Sequence, residues 1–415
     1  MPGYEGFVDL RYKPSEDDLI VDFTIEPAKG VSMKLAAGAV AGESSVGTWT
    51  ELTTMRKHID AIKARCFEIN KNGKIRVAYP SILFEAGNMP QIWSSIAGNI
   101  FGMKAVKNIR LESAEWPKTI RDSFPGPKFG IKGVRDILKV YDRPITASVP
   151  KPKIGMTTAE HAHTAYEIWM GGFDLVKDDE NLSSQSFNRF KDRVIESMKM
   201  RDKAEQETGE RKSYLINITA ETREMLARAK FVRDFGNEYV MMDILTAGWA
   251  GLQTVRDECD DLNLAIHAHR AFHAAFTRNK KHGASMKFVA ETARLLGVDQ
   301  LHIGTVIGKL ESPKEEVFGL NERLKENWGR IKDVLPVCSG GLHPGLLPPL
   351  IKWLSKDIAI QVGGGIHGHP QGTRAGAKAV MAAIQAGIEG ESLTEAAKKS
   401  KELAVAIKKW GYYKA

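Results

Sequence analysis

From residue 144 onward the chain alternates short β-branched or apolar runs with longer stretches whose apolar positions recur at helical spacing. The runs are PITASVPKP (144–152), FDLVKDD (173–179), YLINITA (214–220), YVMMDIL (239–245), LAIHAH (264–269), LHIGTV (301–306), LPVCSG (335–340) and IAIQVGGG (358–365). Between them stand helix-like segments such as TTAEHAHTAYEIWM, TREMLARAKFVRDF and ASMKFVAETARLLG. A succession of eight strand-helix units predicts a (β/α)8 barrel, with chemistry placed at the C-terminal ends of its strands.

The first third is patterned otherwise. FVDLRYK (7–13) and LIVDFTIEP (19–27) alternate as strands do, RCFEINKNGKIRVAYP (65–80) reads as a hairpin turning at Asn72-Gly73, and VSMKLAAGAVAG (31–42) as a short helix. The fold class expected is therefore α/β: a C-terminal (β/α)8 TIM barrel over residues 136–415, preceded by an α+β N-terminal domain over residues 1–135. The junction is expected within DSFPGPKFGIKGVRDIL (122–138), and the amphipathic LTEAAKKSKELAVAIKKW (393–410) should pack on the barrel as a helical extension.

Composition narrows the partners. A chain of 415 residues with 43% hydrophobic and 27% charged content can bury a barrel core and a smaller companion. The net charge of +8 is spread among acids, as in KFVRDFGNE, so no nucleic-acid footprint is expected; a solvated surface or small anionic substrates suit it better. Three cysteines (Cys66, Cys259, Cys338), far apart, offer neither a disulfide framework nor a zinc site, which fits a reducing compartment. No apolar run approaches the roughly 20 residues of a membrane span, and MPGYEGFVDLRYKPSEDD is no export signal. A cytoplasmic protein without a membrane partner is expected.

At the strand tips the polar residues concentrate. Lys151 and Lys153 follow the first barrel strand; Lys177, Asp179 and Glu180 the second; His269, Arg270 and, one turn on, His273 the fifth. The sixth carries His302 and runs into GTVIGKLES with Lys309; the seventh ends in Ser339-Gly340-Gly341 and the eighth in Gly363-Gly364-Gly365. Glycines at the ends of strands seven and eight together suit a phosphate cradle. His267 and His282 read as core histidines with satisfied hydrogen bonds. In GGFDLVKDDEN (171–181), Lys177 and Asp179 point to one side with Glu180 next along, giving two hard oxygen ligands suited to Mg²⁺. The stretch by itself favours a rim salt bridge between Lys177 and its acidic neighbours. The alternative is that Lys177, as a neutral amine, takes up CO₂ and becomes a carbamate, a third oxygen ligand.

VPKPKIG, GGFDLVKDDEN, HRAFHA, GTVIGKLE, SGG and GGGIHGHP, with AGESSVGTWT and AGNIFG in the first domain, resemble in their order the large subunit of ribulose-1,5-bisphosphate carboxylase/oxygenase (Rubisco) over nearly the whole chain. The resemblance implies a Mg²⁺-dependent carbon-carbon lyase, acting on ribulose 1,5-bisphosphate with CO₂ or O₂. Lys177 would carry the activating CO₂ as a carbamate and hold Mg²⁺ with Asp179 and Glu180. Lys151, beside Lys153, would protonate the last carbanion, His269 would assist proton transfers, and Lys309 would polarise the incoming CO₂. One phosphate would lie against Thr48, Trp49, Lys309, Gly341 (after Gly340), Gly363 and Gly364, the other against Arg270, His302 and Ser339, near His273. Glu43 and Asn99 would complete the site of the neighbouring subunit, so a homodimer or an assembly of dimers is implied.

The proline before Lys151, the short N-terminus and the early end of the chain are similar to the archaeal form III branch, which lacks small subunits and is associated with AMP and ribose-phosphate salvage. The alternative within the fold is a Rubisco-like enolase or isomerase acting on another phosphorylated ketose.

Overall fold

The computed structural model describes residues 2–308 and 313–413. Its contacts divide the chain into two compact units, residues 1–126 with 272–296, and residues 127–271 with 297–415. The division falls at 126/127, and the excursion 272–296 joins the first unit, which a single boundary does not describe.

The first unit is a mixed sheet of β1 (Asp18–Pro27), β2 (Arg65–Ile69), β3 (Lys74–Pro80), β4 (Val106–Glu115) and, from the excursion, β10 (Gly283–Ala284), in the order β10-β4-β1-β3-β2. Alternation sets its core face: Leu19, Val21, Phe23 and Ile25 of β1 are buried while their neighbours are half-exposed. The β2-β3 hairpin turns where expected, with Gly73 at φ +84°. The helix Met33–Glu43 is capped by Ser32, whose Oγ accepts from the Leu35 amide at 3.1 Å. FVDLRYK is not a strand. Its first residue, Phe7, ends the 3-10 helix Pro2–Phe7, in which Tyr4 and Phe7, three apart, are both buried, and Val8 makes a single bridge to Cys66. A Cβ at Gly38 would meet the Tyr4 carbonyl at 2.3 Å, so the helix Met33–Glu43 approaches this turn only because it is glycine there.

The second unit is a closed barrel of eight parallel strands: β5 (Ile145–Ser148), β6 (Leu175–Lys177), β7 (Ser213–Asn217), β8 (Tyr239–Asp243), β9 (Ala265–His269), β11 (Gln300–Gly304), β12 (Leu335–Ser339) and β13 (Ala359–Gln361). Each overlaps one of the eight runs that the hydrophobic pattern marked, β7 and β11 starting one residue earlier. The helix Gly130–Leu138 closes the end where the strands begin: Ile131, Val134 and Leu138 pack on Ile145, Leu175, Tyr239, Leu335 and Ala359. With that end plugged by apolar side chains, the opposite rim is left for chemistry. The expected C-terminal helix is two, Leu393–Lys399 and Lys401–Trp410, parted at Ser400, whose Oγ caps the second by accepting from the Leu403 amide. The second of them packs on the helix Thr373–Glu389. Cys66, Cys259 and Cys338 are buried free thiols. Among the described residues no helix is long and apolar enough to cross a membrane.

Candidate active site

β6 brings Lys177 to the barrel rim with its side chain fully buried, and its Nζ donates to the Asp178 carbonyl at 2.8 Å. The expected salt bridge of Lys177 with its acidic neighbours does not form among the described residues. Lys151 and Lys153 take those carboxylates instead: Lys151 Nζ lies 2.7 Å from Asp179 Oδ2, and Lys153 Nζ 2.9 Å from Glu180 Oε1. Desolvation lowers the Lys177 amine from its ordinary value, outweighing the pull of Glu180, Asp243, Asp179 and Asp178. Burial would raise the Glu180 carboxyl, but the Lys153 ammonium and His269 hold it down at about 2.

Pleating explains the placement. Asp178 points away from Lys177 and Asp179 and is pinned behind the tip by the Arg193 Nε at 3.2 Å, the Asn217 amide at 3.0 Å, His161 Nε2 at 3.3 Å and the Tyr214 hydroxyl. Although burial works to raise it, the Arg193 guanidinium with His161 and Tyr214 keeps its carboxyl at about 2. A buried carboxylate anchored from four sides fixes the backbone on which Lys177 and Asp179 are mounted.

Across the rim, β9 ends in His269, whose Nδ1 lies 2.8 Å from Asp243 Oδ1 at the end of β8; the two residues pair in register. Asp243 thus holds the proton on Nδ1, and Nε2, with its lone pair, lies 3.8 Å from Glu180 Oε2. Burial, with the nearby Lys177, lowers the His269 imidazole, favouring that neutral form. His302 on β11 bonds Ser339 Oγ through Nδ1 at 2.8 Å and His267 through Nε2 at 2.9 Å.

The phosphate candidates divide. Arg270 follows β9; burial lowers its guanidinium to about 10 against the pull of Glu316, a desolvated cation suited to an anion. Gly340 and Gly341 have φ of +124° and +74°, backbone that a side chain would strain, and a Cβ at Gly308 would meet the Gly340 carbonyl at 2.3 Å, so the loops after β11 and β12 touch as bare backbone. A Cβ at Gly363 would lie 3.4 Å from Lys151 Cε, while Gly364 faces open space. Lys309 lies outside the described residues. His273 belongs to the first unit, where its Nδ1 meets Thr277 Oγ1 at 2.9 Å. In that unit Glu43, ending its helix, accepts from the Tyr4 hydroxyl at 2.7 Å; the helix packs on the turn Asn99–Gly102, with Thr48 close by in sequence and Trp49 exposed at 67%.

Asp243, Asp178 and the Arg193-His161-Tyr214 set were not marked in the sequence, and the only signal for Asp243 is its register opposite His269. No described group of three His, Cys, Asp or Glu is arranged for a metal ion. Asp179 and Glu180 nonetheless fit Mg²⁺ in ligand chemistry, with two hard carboxylates at one tip beside a dry, lowered amine able to become a third anionic oxygen donor.

A barrel that gathers lysines, carboxylates and histidines at the C-terminal rim defines an acid-base enzyme equipped for a divalent cation. Residues 130–410 match the family of the ribulose bisphosphate carboxylase large chain, catalytic domain, and residues 6–120 its N-terminal domain. The chain belongs to that large-chain family. It is 52% identical over 414 residues to "Ribulose bisphosphate carboxylase" of Pyrococcus abyssi, covering 99% of this chain and 97% of the relative. To the protein of the same name in Methanocaldococcus jannaschii it is 48% identical, over 97% of this chain and 99% of the relative. Among solved structures, octameric Rubisco from Pyrococcus horikoshii OT3 is similar with a TM-score of 0.96 at 50% identity, covering 100% of this chain and 98% of the other. A dimeric archaeal Rubisco from Hyperthermus butylicus gives 0.94 at 50% identity, over 99% of this chain and 100% of the other.

Proposed function

We propose that the chain is a ribulose-1,5-bisphosphate carboxylase that adds CO₂ and water to its substrate to give two 3-phosphoglycerates, with an oxygenase side reaction at the same centre. The observation that carries this reading is Lys177: a fully buried amine, lowered by desolvation, at a strand tip beside Asp179 and Glu180. As a neutral amine it attacks CO₂, forms an N–C bond and releases one proton, so a neutral site becomes a negative one. Bound by the carbamate, Asp179 and Glu180, Mg²⁺ would polarise the two oxygens on which negative charge develops during enolisation.

The chain's own groups do the proton work. The Lys177 carbamate takes the C3 proton, while His269 Nε2, its other nitrogen held by Asp243, accepts and returns protons of the sugar hydroxyls. Lys151, released from Asp179, protonates the carbanion left by carbon-carbon cleavage, and Lys153 stands beside it on Glu180. Arg270, His302 and Ser339 hold one phosphate; Gly340, Gly341, Gly363 and Gly364 line the cradle for the other, with Thr48, Trp49 and Lys309, which also meets the incoming CO₂. Glu43 and Asn99 act in the site of a second copy, so the working form is a homodimer or an assembly of dimers without small subunits. A cytoplasmic role in AMP and ribose-phosphate salvage completes the proposal.

Incubation with ribulose bisphosphate, Mg²⁺ and labelled bicarbonate tests it. Acid-stable label in phosphoglycerate is expected; consumption of the ketose without label would transfer the chain to the enolases and isomerases.

A further inference from the structure

Behind the candidate phosphate site lies a chain of three buried polar side chains that ends at the half-buried Ser339. Gln300 and His267 sit opposite each other in the register of β11 and β9, and Gln300 Oε1 lies 2.7 Å from His267 Nδ1. His267 Nε2 lies 2.9 Å from His302 Nε2, two residues along the same face of β11, and His302 Nδ1 lies 2.8 Å from Ser339 Oγ at the rim. Gln300, His267 and His302 are all buried, at 0%, 0% and 3% exposure, and burial lowers both imidazoles well below their ordinary value, so each carries one N–H.

Two neutral imidazoles in series allow only two arrangements, because each ring donates from one nitrogen and accepts at the other. With Gln300 Oε1 accepting, His267 donates from Nδ1, His302 donates from Nε2, and the Ser339 hydroxyl donates inward to His302 Nδ1. Ser339 then offers the rim only lone pairs, which repel a phosphate. In the reverse arrangement Gln300 donates from Nε2, each ring carries its proton on the other nitrogen, His302 Nδ1 donates to Ser339 Oγ, and the hydroxyl hydrogen points outward.

Interconverting the two moves each ring proton to the other nitrogen, protons being taken up from and released to water in a transient opening, and needs a rotation of the Gln300 amide. Its Nε2 has no hydrogen-bond partner among the described residues, so the rotation breaks no other donor bond. Both arrangements contain three internal bonds, and only the outward one gains a fourth to an anion. The ring of His302 is held edge-to-face against His267 and His269, each 4.9 Å away between centroids, which disfavours a ring flip and leaves proton exchange as the route.

We propose that Gln300 and His267 are positioning residues that set the tautomer of His302 and thereby turn the Ser339 hydroxyl toward a bound phosphate. The inference rests on the reading of His302 and Ser339 as phosphate ligands. It adds a reversible hydrogen-bond chain that anion binding drives into one direction.

The test uses the full-length enzyme carrying ¹⁵N-labelled histidine, with inorganic phosphate as the probe. The expected result is a move of the His302 proton from Nε2 to Nδ1 on addition of phosphate, with His267 moving from Nδ1 to Nε2. In parallel, His267→Leu should raise the KM for the bisphosphate about tenfold with kcat within twofold, since a buried nitrogen left unpaired lets the His302 ring leave Ser339. His267→Gln, whose amide both donates and accepts, should restore KM to within about threefold of the parent. Unchanged imidazole signals with phosphate, or a lowered Tm in His267→Leu without a KM change, would overturn the chain. Ser339→Ala separates the layers: if it raises KM while His302 stays unmoved, the chain alone fails; if KM is unaffected, the phosphate reading beneath it fails.

Discussion

The two ends of the barrel bury charge in opposite ways. At the closed end Asp174, Lys212 and Asp299 each stand one position before a strand and are fully engaged. Asp174, before β6, receives two bonds of 2.7 Å from Arg143 and two more from the Thr146 amide and hydroxyl. Lys212, before β7, donates to the Phe173 carbonyl and Glu210; Asp299, before β11, accepts from the amides of Phe129, Gly130 and Ile266. At the open end the groups are the last residues of strands and are left short. Lys177 has one carbonyl, and His269 one hydrogen-bonded carboxylate, its second nitrogen standing 3.8 Å from Glu180 Oε2. Complete engagement makes a charge structural, because removing a partner strands the other; incomplete engagement shifts proton affinity and leaves a group reactive.

Substitutions at the two ends should therefore separate activity from stability. The largest effect is expected for Lys177→Arg, whose guanidinium forms no stable carbamate: carboxylation should fall by more than about a thousandfold in a labelled-bicarbonate assay. Full turnover by that variant would remove the distinction between the ends. Asp174→Ala should do the reverse, costing about 3–5 kcal/mol in denaturant unfolding by stranding Arg143, while kcat per folded chain stays near that of the parent. A selective loss of kcat there would show the closed end to be chemical. Asp243→Asn, which unsettles the proton on His269 Nδ1, should lower kcat about a hundredfold with little change in Tm.

A smaller effect concerns acid. His367, near the open end, bonds the Val149 carbonyl through Nε2, and burial lowers its imidazole to about 4. The unfolded chain binds that proton near pH 6.5, the folded chain only near 4. Its contribution to stability is thus complete above about pH 6.5 and is lost as pH falls toward 4, worth about 3 kcal/mol. Urea unfolding across this window should be less acid-sensitive in His367→Gln, and an unchanged slope would contradict the assignment.

The barrel was legible because its strands, buried on both faces, are written as unbroken apolar runs ending in polar tips; Leu175-Val176-Lys177 is a strand and a site in three letters. The first unit was less so. FVDLRYK alternates like a strand, yet Phe7 closes the 3-10 helix that begins at Pro2, and of the rest Val8 alone makes a bridge, to Cys66. β4, VKNIRLESAE, carries charges at four positions and passed unmarked; β10 is two residues whose pairing with β4 spans about two-fifths of the chain, and no local pattern encodes it. The site divided similarly. Lysines, acids and histidines at strand tips announce themselves, whereas Asp243 looks like an ordinary helix start in YVMMDIL until β9 sets His269 beside it. The salt bridge expected of Lys177 went to Lys151 and Lys153 because a fully buried ammonium beside three carboxylates is costlier than two partly exposed ones reaching in from the next loop.

The central claim is that the amine of Lys177 is dry enough to bind CO₂. The direct measurement is ¹³C NMR of the enzyme equilibrated with ¹³C-bicarbonate and Mg²⁺. One carbamate resonance per chain is expected, absent from Lys177→Arg and fading when Mg²⁺ is chelated. An enzyme that turns over ribulose bisphosphate while showing no such resonance would contradict the account.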